Sequence, residues 1–203
     1  MKCDAIKTPC EARVGQRSGQ RWAGKWLFAF ACFWLACSQL AGAEDSAAGV
    51  AEYQVKAVYL YKFTEFTDWP ANTFASADAP LVIGIVGEDP FGSILDDLTK
   101  GEIVRGHPLV VKRLQPRDDL RSCQVLFIAH YDKEAMPALF QKLKDSPVLT
   151  VGDATGFADQ GGMINFVIDE EKVKLEINQS AAEEAGLQIS AKLLKLAHIV
   201  KSN

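Results

Sequence analysis

The sequence is poor in the groups from which most active sites are assembled. Histidine occurs only at His107, His130 and His198, without the helical or Cys-x-x-Cys spacing that holds a metal ion. Cys3, Cys10, Cys32 and Cys37 all fall within the first 43 residues. Cys123 is left alone in the remainder, which excludes an internal disulfide there. A lone thiol just before an apolar stretch is expected to be buried. No P-loop or complete Gly-x-Gly-x-x-Gly is present, and no nucleophile stands at a Gly-x-Ser-x-Gly elbow. Positive charge is also short: past residue 43 there are 16 basic against 24 acidic residues in 160, a net charge of −8. That balance leaves no electrostatic footprint for nucleic acid or anionic lipid.

The basic residues that do occur early belong to a different pattern. Lys2, Lys7, Arg13, Arg17, Arg21 and Lys25 precede Trp26–Ala36, an apolar run of eleven residues that is short for a bilayer span. Ala41-Gly-Ala43 supplies small residues for a signal peptidase, with Glu44 as the new N-terminus. Residues 1–43 are therefore expected to be a removed signal peptide, and 44–203 a single exported, periplasmic domain. A lipoprotein box around Trp34-Leu-Ala-Cys37 and an uncleaved anchor are the competing readings.

Residues 50–66 have helical spacing, with Val55, Tyr59, Phe63 and Phe66 as the expected buried stripe and Trp69-Pro70 as its end. Tyr53, Tyr59, Tyr61, Phe63, Phe66 and Trp69 place six rings in seventeen residues, too many for one narrow stripe. Most would clamp the helix onto a sheet. Tyr61, Phe66 and Trp69 are the candidates for a protein-binding surface, where aromatic anchors dominate the energetics.

Leu81–Gly87 is continuously apolar, as a strand buried on both faces requires. Asp89 and Pro90 are expected to cap and open the following helix. Leu109–Leu114 and Val125–Ala129 read as further strands, and a helix through Met136, Leu139, Phe140 and Leu143 returns the chain to a parallel strand, Val148–Gly152. Met163–Asp169 and Lys172–Asn178 form a hairpin. Ser180 and Glu183 have capping-box spacing, and Gly186 fits a helix stop. A last helix, capped by Ser190, would bury Leu193, Leu196, Ala197 and Val200, with His198 favouring its dipole. The pattern predicts an α/β protein: one three-layer α/β/α sandwich with a mostly parallel central sheet and a C-terminal β-hairpin plus helix.

Ligands of open α/β sheets gather at the C-terminal ends of the strands. Those ends gather Glu88, Asp89, Phe91, His130, Asp153 and Phe157 as a candidate ligand pocket. The best enzymatic case is a hydrolase using His130 with Asp132 or Asp153. It lacks a nucleophile, so no catalytic residue, metal or cofactor is expected.

Two phrases in the chain resemble those of a known family. Tyr53–Pro70 (YQVKAVYLYKFTEFTDWP) and the block running from Gly161-Gly-Met-Ile-Asn-Phe-Val through Ala185–Ala197 resemble the YfiR-like family of exported bacterial regulators. The resemblance implies a periplasmic, non-catalytic protein that binds the periplasmic portion of an inner-membrane diguanylate cyclase and represses it. It also implies sequestration by another envelope protein and a homodimer as further associations. Family members with disulfide pairs differ from this chain, which has only Cys123 past the leader. The alternative reading is a small-molecule-binding accessory protein of a sensor kinase or uptake system.

Overall fold

Strand Leu81–Val86 is buried at every position, and its side chains divide between two apolar interiors. Leu81, Ile83 and Ile85 belong to one, Val82 and Val86 to the other. Because successive side chains point to opposite faces, a strand that is apolar throughout must lie in a sheet covered on both sides. The computed structural model describes residues 41–130 and 134–200, and Ala47–Asn203 forms one compact unit.

In chain order the elements are α1 (Ala41–Phe66), β1 (Thr67–Asp68), β2 (Leu81–Val86), α2 (Ser93–Thr99), β3 (Ile103–Val104), β4 (His107–Leu114) and β5 (Val125–Ile128). Then come α3 (Met136–Leu143), β6 (Leu149–Gly152), β7 (Ile164–Asp169), β8 (Lys172–Asn178), α4 (Gln179–Glu184), β9 (Gln188–Ile189), α5 (Ala191–Leu194) and β10 (Ala197–Val200). Eight strands form one sheet in the order β10-β8-β7-β6-β5-β2-β4-β3, while β1 and β9 make a separate ribbon. The pairings from β4 through β2, β5 and β6 to β7 are parallel, as is β8 with β10. Only the β7–β8 hairpin and the β3–β4 pair are antiparallel.

Ala57, Leu60 and Phe63 of α1 meet Phe127, Val151 and Phe166 on one face of the sheet. Met136, Leu139 and Leu143 of α3 cover Leu126 and Ile128 on the other. The expected α/β sandwich and its parallel sheet are therefore present. The expected cleavage point between Ala43 and Glu44 falls within the bounds of α1, and residues 1–40 lie outside the described residues.

Four local expectations need correction. On α1 the buried row is Lys56, Ala57, Leu60, Phe63 and Thr64, while Val55 is exposed. A lysine and a threonine in the buried row hid its true phase. Asp89 does not cap α2: its Oδ1 accepts from the Phe91 N–H at 2.8 Å in an Asx turn, and the helix starts at Ser93 after Gly92. Asn178, not Ser180, caps α4, its Oδ1 accepting from the Ala181 N–H at 3.1 Å.

The last correction is the largest. Ser190 does cap a helix, but that helix ends at Leu194. The chain then becomes β10, pairing Ala197 to Val200 in parallel with Leu175 to Asn178 of β8. Leu193 is buried as expected, whereas Leu196 is 70% exposed and His198 is a strand residue. The β8 edge offered unpaired backbone groups, and the β-branched pair Ile199-Val200 suits a strand better than a helix.

Candidate functional site: a cleft at the end of β6

Strands β5 and β6 end in register, at Ile128 and Gly152. Strand β6 pairs with β7 only at Val151–Ile164 and Gly152–Asn165. Beyond that point Phe166, Val167 and Ile168 pair with β8 alone. A cleft of about 470 Å³ opens in this gap, walled by Glu52, Tyr53 and Lys56 of α1, by His130 and Asp153 at the strand ends, and by Asn165 and Glu176 of the hairpin.

Lys56 is the centre of its polar wall. Its side chain is 3% exposed, and Nζ lies 2.7 Å from Asp153 Oδ2 and 2.6 Å from Glu52 Oε1. The ammonium also sits 4.3 Å from the centre of the Tyr53 ring, a cation–π arrangement. Burial works against the charged form, but the hydrogen bonds that the ammonium donates to the Asp153 and Glu52 carboxylates outweigh it and hold the Lys56 pKa above the ordinary lysine value. Tyr53 donates its O–H to the same Asp153 oxygen at 3.1 Å. Burial, aided by the Asp153 charge, pushes its phenol pKa up.

Across the cleft, Asn165 is almost fully buried and donates Nδ2–H to Glu176 Oε2 at 3.0 Å. Its Oδ1 has no partner among the described residues. An unsatisfied buried acceptor is rare enough to require a reason. His130 completes the rim at a φ of 44°, a left-handed conformation uncommon outside glycine.

The family model described as YfiR/HmsC-like matches residues 53–198, from the middle of α1 into β10. The chain belongs to the YfiR/HmsC-like family. No curated protein matches it. The YfiR/HmsC-like region takes in every cleft residue named above except Glu52.

Of the six strand-end residues that the sequence grouped as a pocket, this YfiR/HmsC-like fold brings only His130 and Asp153 to the cleft. Glu88 and Asp89 are not among its walls; Asp89 Oδ2 accepts from Arg113 Nε at 2.9 Å, and Arg113 grips both oxygens of Asp96 at 2.7 and 2.6 Å. Phe91 is a core residue, edge-on to Tyr53 at 5.6 Å and to Phe127 at 4.8 Å. Phe157 is buried in the opposite interior, 5.5 Å from Phe140. The six are separated because β2 and β6 are not neighbours: β5 lies between them. Asp132 lies outside the described residues.

Glu52, Tyr53, Lys56, Asn165 and Glu176 were missed as site residues. Lys56 carried a signal, since it stands in the row that runs Tyr53, Lys56, Leu60 and Phe63, apolar but for this one charge. Asn165 carried a weaker one as the single amide inside the apolar run Met163–Ile168.

Tyr61 and Phe66 lie at the far end of α1 and Trp69 directly after β1, each partly buried against the main core. Tyr61 donates to Glu102 Oε2 at 3.2 Å, and Trp69 Nε1–H donates to the Gln124 carbonyl at 3.2 Å. The more exposed apolar side chains of α1 are Val50, Val55 and Val58. Among the described residues there is no group of three or more metal-ligating side chains, and no helix is long and apolar enough to cross a membrane. Cys123 is buried, and burial pushes its thiol pKa up to about 11.

Proposed function

We propose that this YfiR/HmsC-like domain is an exported, non-catalytic regulator that binds the periplasmic portion of an inner-membrane diguanylate cyclase and lowers cytosolic cyclic di-GMP. The family match over residues 53–198 carries this reading. Repression requires the domain to prefer the inactive conformation of the cyclase, because equal affinity for both states shifts nothing. Tyr61, Phe66 and Trp69 form the contact surface: each keeps part of its ring accessible, and each is held by the core so that little freedom is lost on binding. Capture of the domain by another envelope protein would relieve repression by competition, and self-association would do the same if it covered α1.

The test compares cyclic di-GMP in the source strain, in a deletion strain, and in the deletion strain re-expressing the full chain. A rise on deletion that the chain reverses, but that the Tyr61→Ala/Trp69→Ala variant does not, supports the reading, provided the variant folds. An unchanged level on deletion counts against it. That outcome would favour an accessory protein of a sensor kinase or uptake system that reads a small molecule, a reading the cleft beside Lys56 supports.

A further inference from the structure

We propose that the cleft at the end of β6 binds a small organic cation bearing an ammonium or guanidinium group. Its walls carry three carboxylates, Glu52, Asp153 and Glu176, against the single ammonium of Lys56. The donors on α1 and on β7 are engaged: Tyr53 and Lys56 with Asp153, Lys56 with Glu52, and the Asn165 amide with Glu176, which leaves His130 and Thr155 as the remaining donor side chains of the lining. The acceptors are only partly engaged. Those bonds use one oxygen of Asp153 and one of Glu176, and Asn165 Oδ1 has no partner among the described residues.

A site with surplus acceptors and surplus negative charge recognises a ligand that brings N–H donors and positive charge. Carboxylates and phosphates are repelled by the same walls. A bare metal ion finds no group of three ligating side chains among the described residues. The volume of about 470 Å³ lies within the range of small-molecule sites. Phe166, Val167 and Ile168, where β7 runs past β6, add an apolar wall for a short carbon chain between charged ends. This inference does not rest on the cyclase reading, and either can fail without the other.

The experiment is calorimetric titration of the full chain with agmatine, which carries both cationic groups, and with choline, which has charge but no N–H. Saturable binding of agmatine and none of choline is expected. Glu176→Gln should weaken agmatine binding about tenfold, the loss of one charge-assisted contact. Asn165→Leu should weaken it as well while leaving the unfolding temperature in the absence of agmatine unchanged or higher, since it removes an unsatisfied buried acceptor. No saturable heat at millimolar agmatine overturns the proposal. So does equal binding of choline, or unchanged affinity in both variants.

Discussion

Lys56 of α1 and Asp153 at the end of β6 are 97 positions apart in the chain, and their side chains meet at 2.7 Å. The pair fastens α1 to the sheet where β6 stops short of β7. Its worth lies in completeness: two carboxylates, a phenol and an aromatic face surround one buried ammonium.

Breaking the pair from one side is expected to cost more than removing it. Lys56→Met should lower the free energy of unfolding by about 3 kcal/mol, because Asp153 is left without its counter-charge in a mostly buried position. Lys56→Met combined with Asp153→Leu should recover most of that loss. Urea denaturation of the two variants beside the parent chain makes the comparison.

The same cluster sets an alkaline limit. Lys56 and Tyr53 both hold their protons more tightly when folded, so their contribution is fully present below the ordinary lysine and tyrosine values of 10.5 and 10.0. It is lost as pH rises through the higher folded values. The cluster's contribution should therefore be level from neutral pH to about 10 and fall above it, while the buried Cys123 thiol, raised from its ordinary value of 9.0, starts a fall about one pH unit earlier. Lys56→Met/Tyr53→Phe should show a shallower fall in pH-dependent denaturation.

Gly87, directly after β2, has a φ of 99°, and a Cβ there would lie 2.2 Å from the Ala129 carbonyl oxygen. Gly92 also has a positive φ, 53°, but nothing lies within 4 Å of its Cβ position. Gly87→Ala is expected to cost about 3 kcal/mol, from backbone strain and overpacking together. Gly92→Ala should cost about 2 kcal/mol from strain alone, since φ 53° with ψ −130° is a backbone conformation nearly confined to glycine. Similar losses at both positions would show that the close approach to Ala129 is relieved by a shift of β5.

The β7–β8 turn places Glu170 and Glu171 at φ values of 50° and 61°. Two consecutive left-handed residues make a tight hairpin that asparagine and glycine fill with less strain. Glu170→Asn/Glu171→Gly should stabilise the protein by about 1 kcal/mol. A thermal midpoint that stays put or falls would count against that account of the turn.

How far the fold could be read from the chain depended on whether each signal was local. Strands β2 and β5 announced themselves by unbroken apolar runs, as burial on both faces favours, whereas β6 carries the buried Thr150 and was placed by the crossover from the helix before it. The β7–β8 hairpin showed in the strict alternation of Lys172–Ile177. Strand β10 did not show, because Ala197–Val200 becomes a strand only through the free edge of β8, which lies outside its own sequence. The site divided in the same way. His130 and Asp153 were found from their places at strand ends. Lys56 was not, because its significance comes from Asp153, and the distance between them in the chain leaves no spacing to read. Phe91 and Phe157 were grouped with the pocket because ring side chains near strand ends do not reveal which layer they enter.

The short ribbon of Thr67–Asp68 with Gln188–Ile189, reinforced by the Ser190 N–H donating to the Phe66 carbonyl at 2.8 Å, joins the end of α1 to the chain's final segment. A polypeptide emerging from a ribosome or a translocon presents α1 early and β9 nearly last. Until β9 forms, the C-terminal end of the helix lacks this ribbon, although Asp153 and the strands on which the helix packs come earlier in the chain. Closure of this end of α1 thus waits on residues about 120 positions further along the chain.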